Sequence, residues 1–171
     1  MDLDLTGARK RVPWTAVRTY IHQSKVALTR ANIHEIAAAA TLKVLDMLSR
    51  CPHLEHLEMH IPHDNPPEFY AKIKTFKRLK TLVCTDVKIS HGCVGGILSD
   101  LPLLEKATFG NIWESWQSRE NGDLAWPKHL PNLKSLTIGC SHRDPSRPLI
   151  PFSLSNVIPR LGSVSFPFFI I

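Results

Sequence analysis

The sequence has no apolar run near the ~18 consecutive residues that a membrane span requires. Its amino end, Met1 to Arg11, alternates acidic, apolar and basic side chains without the apolar stretch of an export signal. On that pattern neither a membrane-spanning nor an exported protein is expected, and a cytoplasmic or nuclear location is. Cysteine is scarce: Cys51, Cys84, Cys93 and Cys140 are the four, far apart and without a C-x-x-C pair, so reduced thiols are expected rather than a disulfide framework. Gly92, Gly95 and Gly96 are followed by no G-K-[ST] and form no G-x-G-x-x-G, which removes the usual phosphate cradles. No G-x-S-x-G context presents a nucleophile either. The nearest approach is Cys93 beside His91 in Ser90-His91-Gly92-Cys93, and those residues look like the start of a helix. No enzyme activity, cofactor or bound metal is expected.

Twenty-one Lys and Arg against 15 Asp and Glu leave a formal charge of +6, yet the only dense cluster is Arg9-Lys10-Arg11. No stacking aromatics accompany it, so nucleic acid is not the expected partner. What the chain does have is apolar content, 43%, sufficient for a folded core.

That content is periodic. Cys51-Pro52-His53-Leu54-Glu55-His56-Leu57-Glu58-Met59 returns in pattern as Leu101-Pro102-Leu103-Leu104-Glu105-Lys106-Ala107-Thr108-Phe109, and again as Leu130-Pro131-Asn132-Leu133-Lys134-Ser135-Leu136-Thr137-Ile138. Looser copies hold Leu79, Leu82 and Cys84, then Leu161, Val164 and Phe166, and a degenerate one holds Leu28, Ala31 and Ile33. The first apolar positions are spaced by 26, 25, 25, 29 and 28 residues, within the range of about 20 to 29 of leucine-rich repeats. One such unit cannot bury its own apolar side, so stability requires stacked neighbours. The expected fold is α/β: one leucine-rich-repeat domain over residues 1–171, a right-handed horseshoe fragment of five or six irregular repeats. Parallel strands line its concave face, and helices or irregular turns its convex face.

Between the copies, helical spacing recurs at Leu42, Val44, Leu45 and Leu48; at Phe69, Ile73 and Phe76; and at Val94, Ile97, Leu98 and Leu101. Pro66-Pro67 suits a helix start and Ser90 an N-cap. Irregular loops or single turns are expected around Trp113, Trp116 and Trp126 and in the proline-rich stretch after Cys140. The ending Phe166-Pro167-Phe168-Phe169-Ile170-Ile171 is apolar where a stacked array calls for a polar cap.

Alternation with period two assigns the candidate binding surface. With Leu57 and Met59 inward, His56, Glu58 and His60 face the groove. The same count gives Arg30, Asn32 and His34; Thr81, Val83 and Thr85; Lys106 and Thr108; Ser135 and Thr137; Ser163 and Ser165. A partner protein on the concave face is the expected ligand.

His53, His56, His60 and His63, with Cys51 and Asp64 nearby, are residue types that zinc favours, and a metal-dependent hydrolase is the remote alternative. On one strand, though, His56 and His60 lie about 13 Å apart, too far for a single ion.

The segments Leu3-Asp4-Leu5-Thr6-Gly7-Ala8-Arg9-Lys10, Val12-Pro13, Val17-Arg18-Thr19-Tyr20-Ile21, Leu28-Thr29-Arg30-Ala31 and Ser49-Arg50-Cys51-Pro52-His53-Leu54-Glu55-His56-Leu57-Glu58 together resemble the repeat region of fungal F-box proteins with irregular leucine-rich repeats. The resemblance runs over nearly the whole chain. It implies a substrate receptor: in that family an F-box docks on the Skp-type adaptor of a cullin ubiquitin ligase, and the repeats capture the protein to be ubiquitinated. The chain starts about where that F-box ends, so none is expected within it, and the adaptor becomes a partner only if an F-box is supplied upstream. A leucine-rich-repeat scaffold unrelated to ubiquitin is the alternative.

Overall fold

The structure is a computed structural model, and it describes residues 1–6, 13–34, 38–60, 67–85, 91–112, 130–140 and 163–165. Seven strands form one sheet in chain order, every neighbouring pair parallel: β1 (Asp2–Asp4), β2 (Arg30–His34), β3 (His56–His60), β4 (Thr81–Thr85), β5 (Lys106–Ile112), β6 (Ser135–Cys140) and β7 (Ser163–Ser165). Adjacent parallel strands need a long crossover. Helices α1 (Trp14–Ser24), α2 (Ala38–Leu48), α3 (Pro67–Ile73) and α4 (His91–Asp100) supply the first four. The described chain is thus an α/β protein on a parallel sheet. None of its described helices is long and apolar enough to cross a membrane.

A shared turn sets the register. In Cys51-Pro52-His53-Leu54 the amide of Leu54 donates to the carbonyl of Cys51, and the same bond joins Leu79 to Phe76, Leu104 to Leu101 and Leu133 to Leu130. These are four-residue β-turns, and in three of them proline occupies the second position, where its locked φ suits the bend and its missing N–H is not needed. The chain then enters the sheet along a second recurring bond: Glu55 N–H donates to Thr29 O, Lys80 to Glu55 O, Glu105 to Lys80 O and Lys134 to Glu105 O, all at 2.8–2.9 Å. Because each copy starts from the same turn, equivalent residues fall side by side.

Leu57, Leu82, Ala107 and Leu136 are consequently direct neighbours across β3 to β6, each with 0–1% of its surface exposed. Leu3 and Ala31 extend the column toward the amino end. A second column runs Ile33, Met59, Cys84, Phe109, Ile138, also buried. Val17 and Ile21 of α1, Val44, Leu45 and Leu48 of α2, Phe69 and Ile73 of α3, and Val94, Ile97 and Leu98 of α4 join both columns in one core cluster. The helices therefore cover one face of the sheet. Two glycines at the centre of α4 cost roughly 1 kcal/mol each against alanine in helix propensity, a cost offset by the burial of its three apolar residues. At Gly96 an added Cβ would stand 3.1 Å from Lys74 Nζ, the far end of a flexible side chain that crosses this helix.

Ion pairs stitch neighbouring helices on the outside. Lys72 of α3 pairs with Asp46 of α2, and Lys74 and Lys77 reach Asp100 at the end of α4 at 3.2 and 3.7 Å. The Lys72 ammonium holds the Asp46 carboxyl below its usual range.

β1 and α1 go beyond the elements expected from the sequence. β1 offers only Leu3 between two aspartates, too short for alternation to register, and α1 buries just Val17, Ile21 and Ser24. Tyr20 ties the two together, its hydroxyl donating to Asp2 O at 2.9 Å. At the other end the β5–β6 register shifts between Phe109 and Ile112, where the repeat spacing lengthens. Ser90, the tryptophan-containing insertion, the proline-rich stretch and the apolar ending lie outside the described residues.

Candidate functional site

The face of the sheet opposite the helices carries the side chains left over by alternation. In β2, β3 and β4 every second residue is buried and those between are half-buried or exposed. Register gathers them into three columns. The first runs Asp2, Arg30, His56, Thr81, Lys106, Ser135, Ser163; the second Asp4, Asn32, Glu58, Val83, Thr108, Thr137, Ser165; the third His34, His60, Thr85. His34, His56, Glu58, His60, Thr81, Thr85, Lys106, Thr108, Ser135 and Thr137, like the other positions that alternation assigns to the groove, belong to these columns. Asp2 and Asp4 of the unforeseen strand β1 complete the amino end.

The third column is a small polar cluster. The His34 and His60 rings stack, with centroids 5.9 Å apart and planes 16° from parallel. Nδ1 of His60 lies 3.1 Å from the Thr85 hydroxyl, which itself donates to Met59 O at 3.4 Å. Nε2 of His34 is 3.3 Å from Glu58 Oε1, a salt-bridge distance, yet the atom is buried and its geometry makes no hydrogen bond. The two groups form an ion pair only where the imidazole is protonated. Beside it, hydrogen bonds from Thr6 hold the Asp4 carboxyl below its usual range, helped by His34.

The histidines are thus shared between strands rather than grouped along one. His56 and His60 sit at opposite ends of β3, and among the described residues no three His, Cys, Asp or Glu side chains converge in a way that could hold a metal. His63 and Asp64 lie outside the described residues. The Cys84 thiol is fully buried, and burial pushes its pKa far up, so it stays protonated; burial raises Cys51 as well. Neither is set up as a nucleophile. A cavity of ≈ 110 Å³ between the turns at Leu101 and Leu130 has only Ser99 and Asn132 among its lining side chains as polar groups, so it offers packing space rather than chemistry.

Bordering the open face is a feature no local pattern in the sequence announces. The residues entering β3 to β6 are Glu55, Lys80, Glu105 and Lys134, alternating in sign. Lys80 Nζ meets Glu55 Oε2 at 2.9 Å and Lys134 Nζ meets Glu105 Oε2 at 2.6 Å. Each hydrogen bond from lysine lowers the pKa of its glutamate. In the adjacent first column, by contrast, Arg30 and Lys106 are exposed and have no ion-pair partner among the described residues. In comparisons with known proteins, no family model, no curated protein and no solved structure matches the chain.

Proposed function

We propose that this chain is a leucine-rich-repeat solenoid whose open sheet face holds a partner protein, a non-catalytic interaction module of the cytoplasm or nucleus. The observation that carries this reading is the pairing of two in-register buried columns on one face with three in-register, mostly polar columns on the other. Stacked units generate that pairing, and the extended surface it leaves is what repeat proteins use for binding. The likeness of the Leu3 to Lys10 and Ser49 to Glu58 segments to fungal F-box proteins supports one particular role, the substrate-recognition region of a cullin-type ubiquitin ligase receptor.

The test is site-directed photocrosslinking from positions 81 and 108 on the open face and 43 and 71 on the helical side, with Glu58→Lys and Lys106→Glu as variants. A partner crosslinked from the open face and weakened by either reversal is the expected result; crosslinking only from the helical side overturns the assignment. An adaptor or cullin in the recovered complex identifies the ligase role, whereas a partner without them identifies a scaffold independent of ubiquitin.

A further inference from the structure

The first column of the open face has a charge pattern that its neighbours lack. From β2 to β5 it presents Arg30, His56, Thr81 and Lys106, with no carboxylate among them. The lysines entering the sheet beside it, Lys80 and Lys134, are already neutralised by Glu55 and Glu105. Arg30 and Lys106 are exposed and unpaired among the described residues; Asp2 is Arg30's register neighbour yet forms no ion pair with it. Two positive charges therefore stand at a set separation in this column, with no carboxylate between them.

We infer that this column receives an extended acidic peptide of the partner, running across the strands, with two carboxylates four residues apart engaging Arg30 and Lys106. The inference rests on the binding role proposed above and names its chemistry. Arg30 and Lys106 are three strands apart, which at about 4.8 Å per strand is about 14 Å. An extended peptide advances about 3.4 Å per residue, so four residues span the gap, and an even number keeps both side chains on the same side. A spacing of three sends one carboxylate away from the sheet. Between the two anchors, the imidazole of His56 and the hydroxyl of Thr81 are placed to donate to peptide carbonyls.

A peptide suits this face better than a nucleic-acid backbone. Asp4 and Glu58 lie in the next column, where they repel a continuous line of phosphates but accept hydrogen bonds from peptide amides. No Phe, Tyr or Trp side chain stands in the three columns to stack on a base.

The experiment is an NMR titration of the full chain with nine-residue Gly/Ser peptides carrying two glutamates at spacing four, two at spacing three, or two glutamines in their place, and with a single-stranded oligonucleotide as a further probe. Thermal melts confirm that Arg30→Gln and Lys106→Gln stay folded. Expected are shifts centred on β2 to β5, affinity highest for spacing four, and a loss of roughly twofold to fivefold for each variant, as for exposed ion pairs. Equal affinity for spacings three and four, retention by the glutamine peptide, no binding of any peptide, or tighter binding of the oligonucleotide each overturns the inference. A partner that still crosslinks from the open face in the Arg30→Gln/Lys106→Gln double variant leaves the binding role standing and removes only the acidic-peptide assignment; loss of open-face crosslinking in the unaltered chain removes both.

Discussion

The two faces of this sheet are made from alternate residues of the same strands, and they obey different rules. On the helical side, Leu82 sits between Leu57 and Ala107 and meets no solvent. One residue earlier, Thr81 sits between His56 and Lys106 and is half-exposed. Register makes both columns equally ordered. The difference lies in what each contributes: the buried columns supply the free energy that holds the units together, about 25 cal/mol per Å² of apolar surface removed from water, and the open columns supply chemistry at little stability cost.

That contrast is broken most sharply through thiol access. Cys84 in the folded chain should react with an alkylating reagent only through unfolding, slower than a cysteine introduced by Lys106→Cys by a factor on the order of a thousand or more. Peptide mapping by mass spectrometry gives both rates in one sample, and comparable rates would erase the distinction between the faces. Next comes packing. Leu82→Ala should cost about 2–5 kcal/mol through lost burial and a residual cavity, whereas Thr81→Ala should stay within about 0.5 kcal/mol. Urea melts of the two variants measure the gap directly.

The smallest effect belongs to the entry ladder. Glu55 and Glu105 have pKa values lowered in the folded chain by Lys80 and Lys134. A depressed folded pKa contributes stability above the ordinary glutamate value of 4.5 and loses it as pH falls through the folded value. Acid melts should therefore show a slight extra destabilisation below about pH 4.5, on the low side of that value, abolished in Lys80→Met/Lys134→Met. An unchanged acid limb in the double variant would detach the ladder from stability altogether.

Much of this arrangement is legible in the chain. The recurring Leu54, Leu79, Leu104 and Leu133 mark the turns, and the helical spacing of Leu45 and Leu48, Phe69 and Ile73, and Ile97 and Leu98 marks α2, α3 and α4. Alternation around Leu57 places His56, Glu58 and His60 on the other side. β1 and α1 escape notice because three residues cannot show a period and because α1 buries only Val17 and Ile21 among its apolar residues. A further signal lies in Cys51-Pro52, Leu101-Pro102 and Leu130-Pro131, whose prolines occupy the second turn position.

The sequence alone determined the size of the unit, the alternation that divides each strand into a buried and an open set, and the absence of the usual nucleotide-binding and nucleophile motifs. Those properties depend on neighbours a few residues apart and on local spacing. Only the tertiary structure decided that His34 stacks on His60, that Glu55 pairs with Lys80, and that Arg30 and Lys106 share one column without an ion-pair partner among the described residues. These pairs are separated by 25 residues or more, and what brings them together or holds them apart is strand register, a property of stacked units that no single unit possesses.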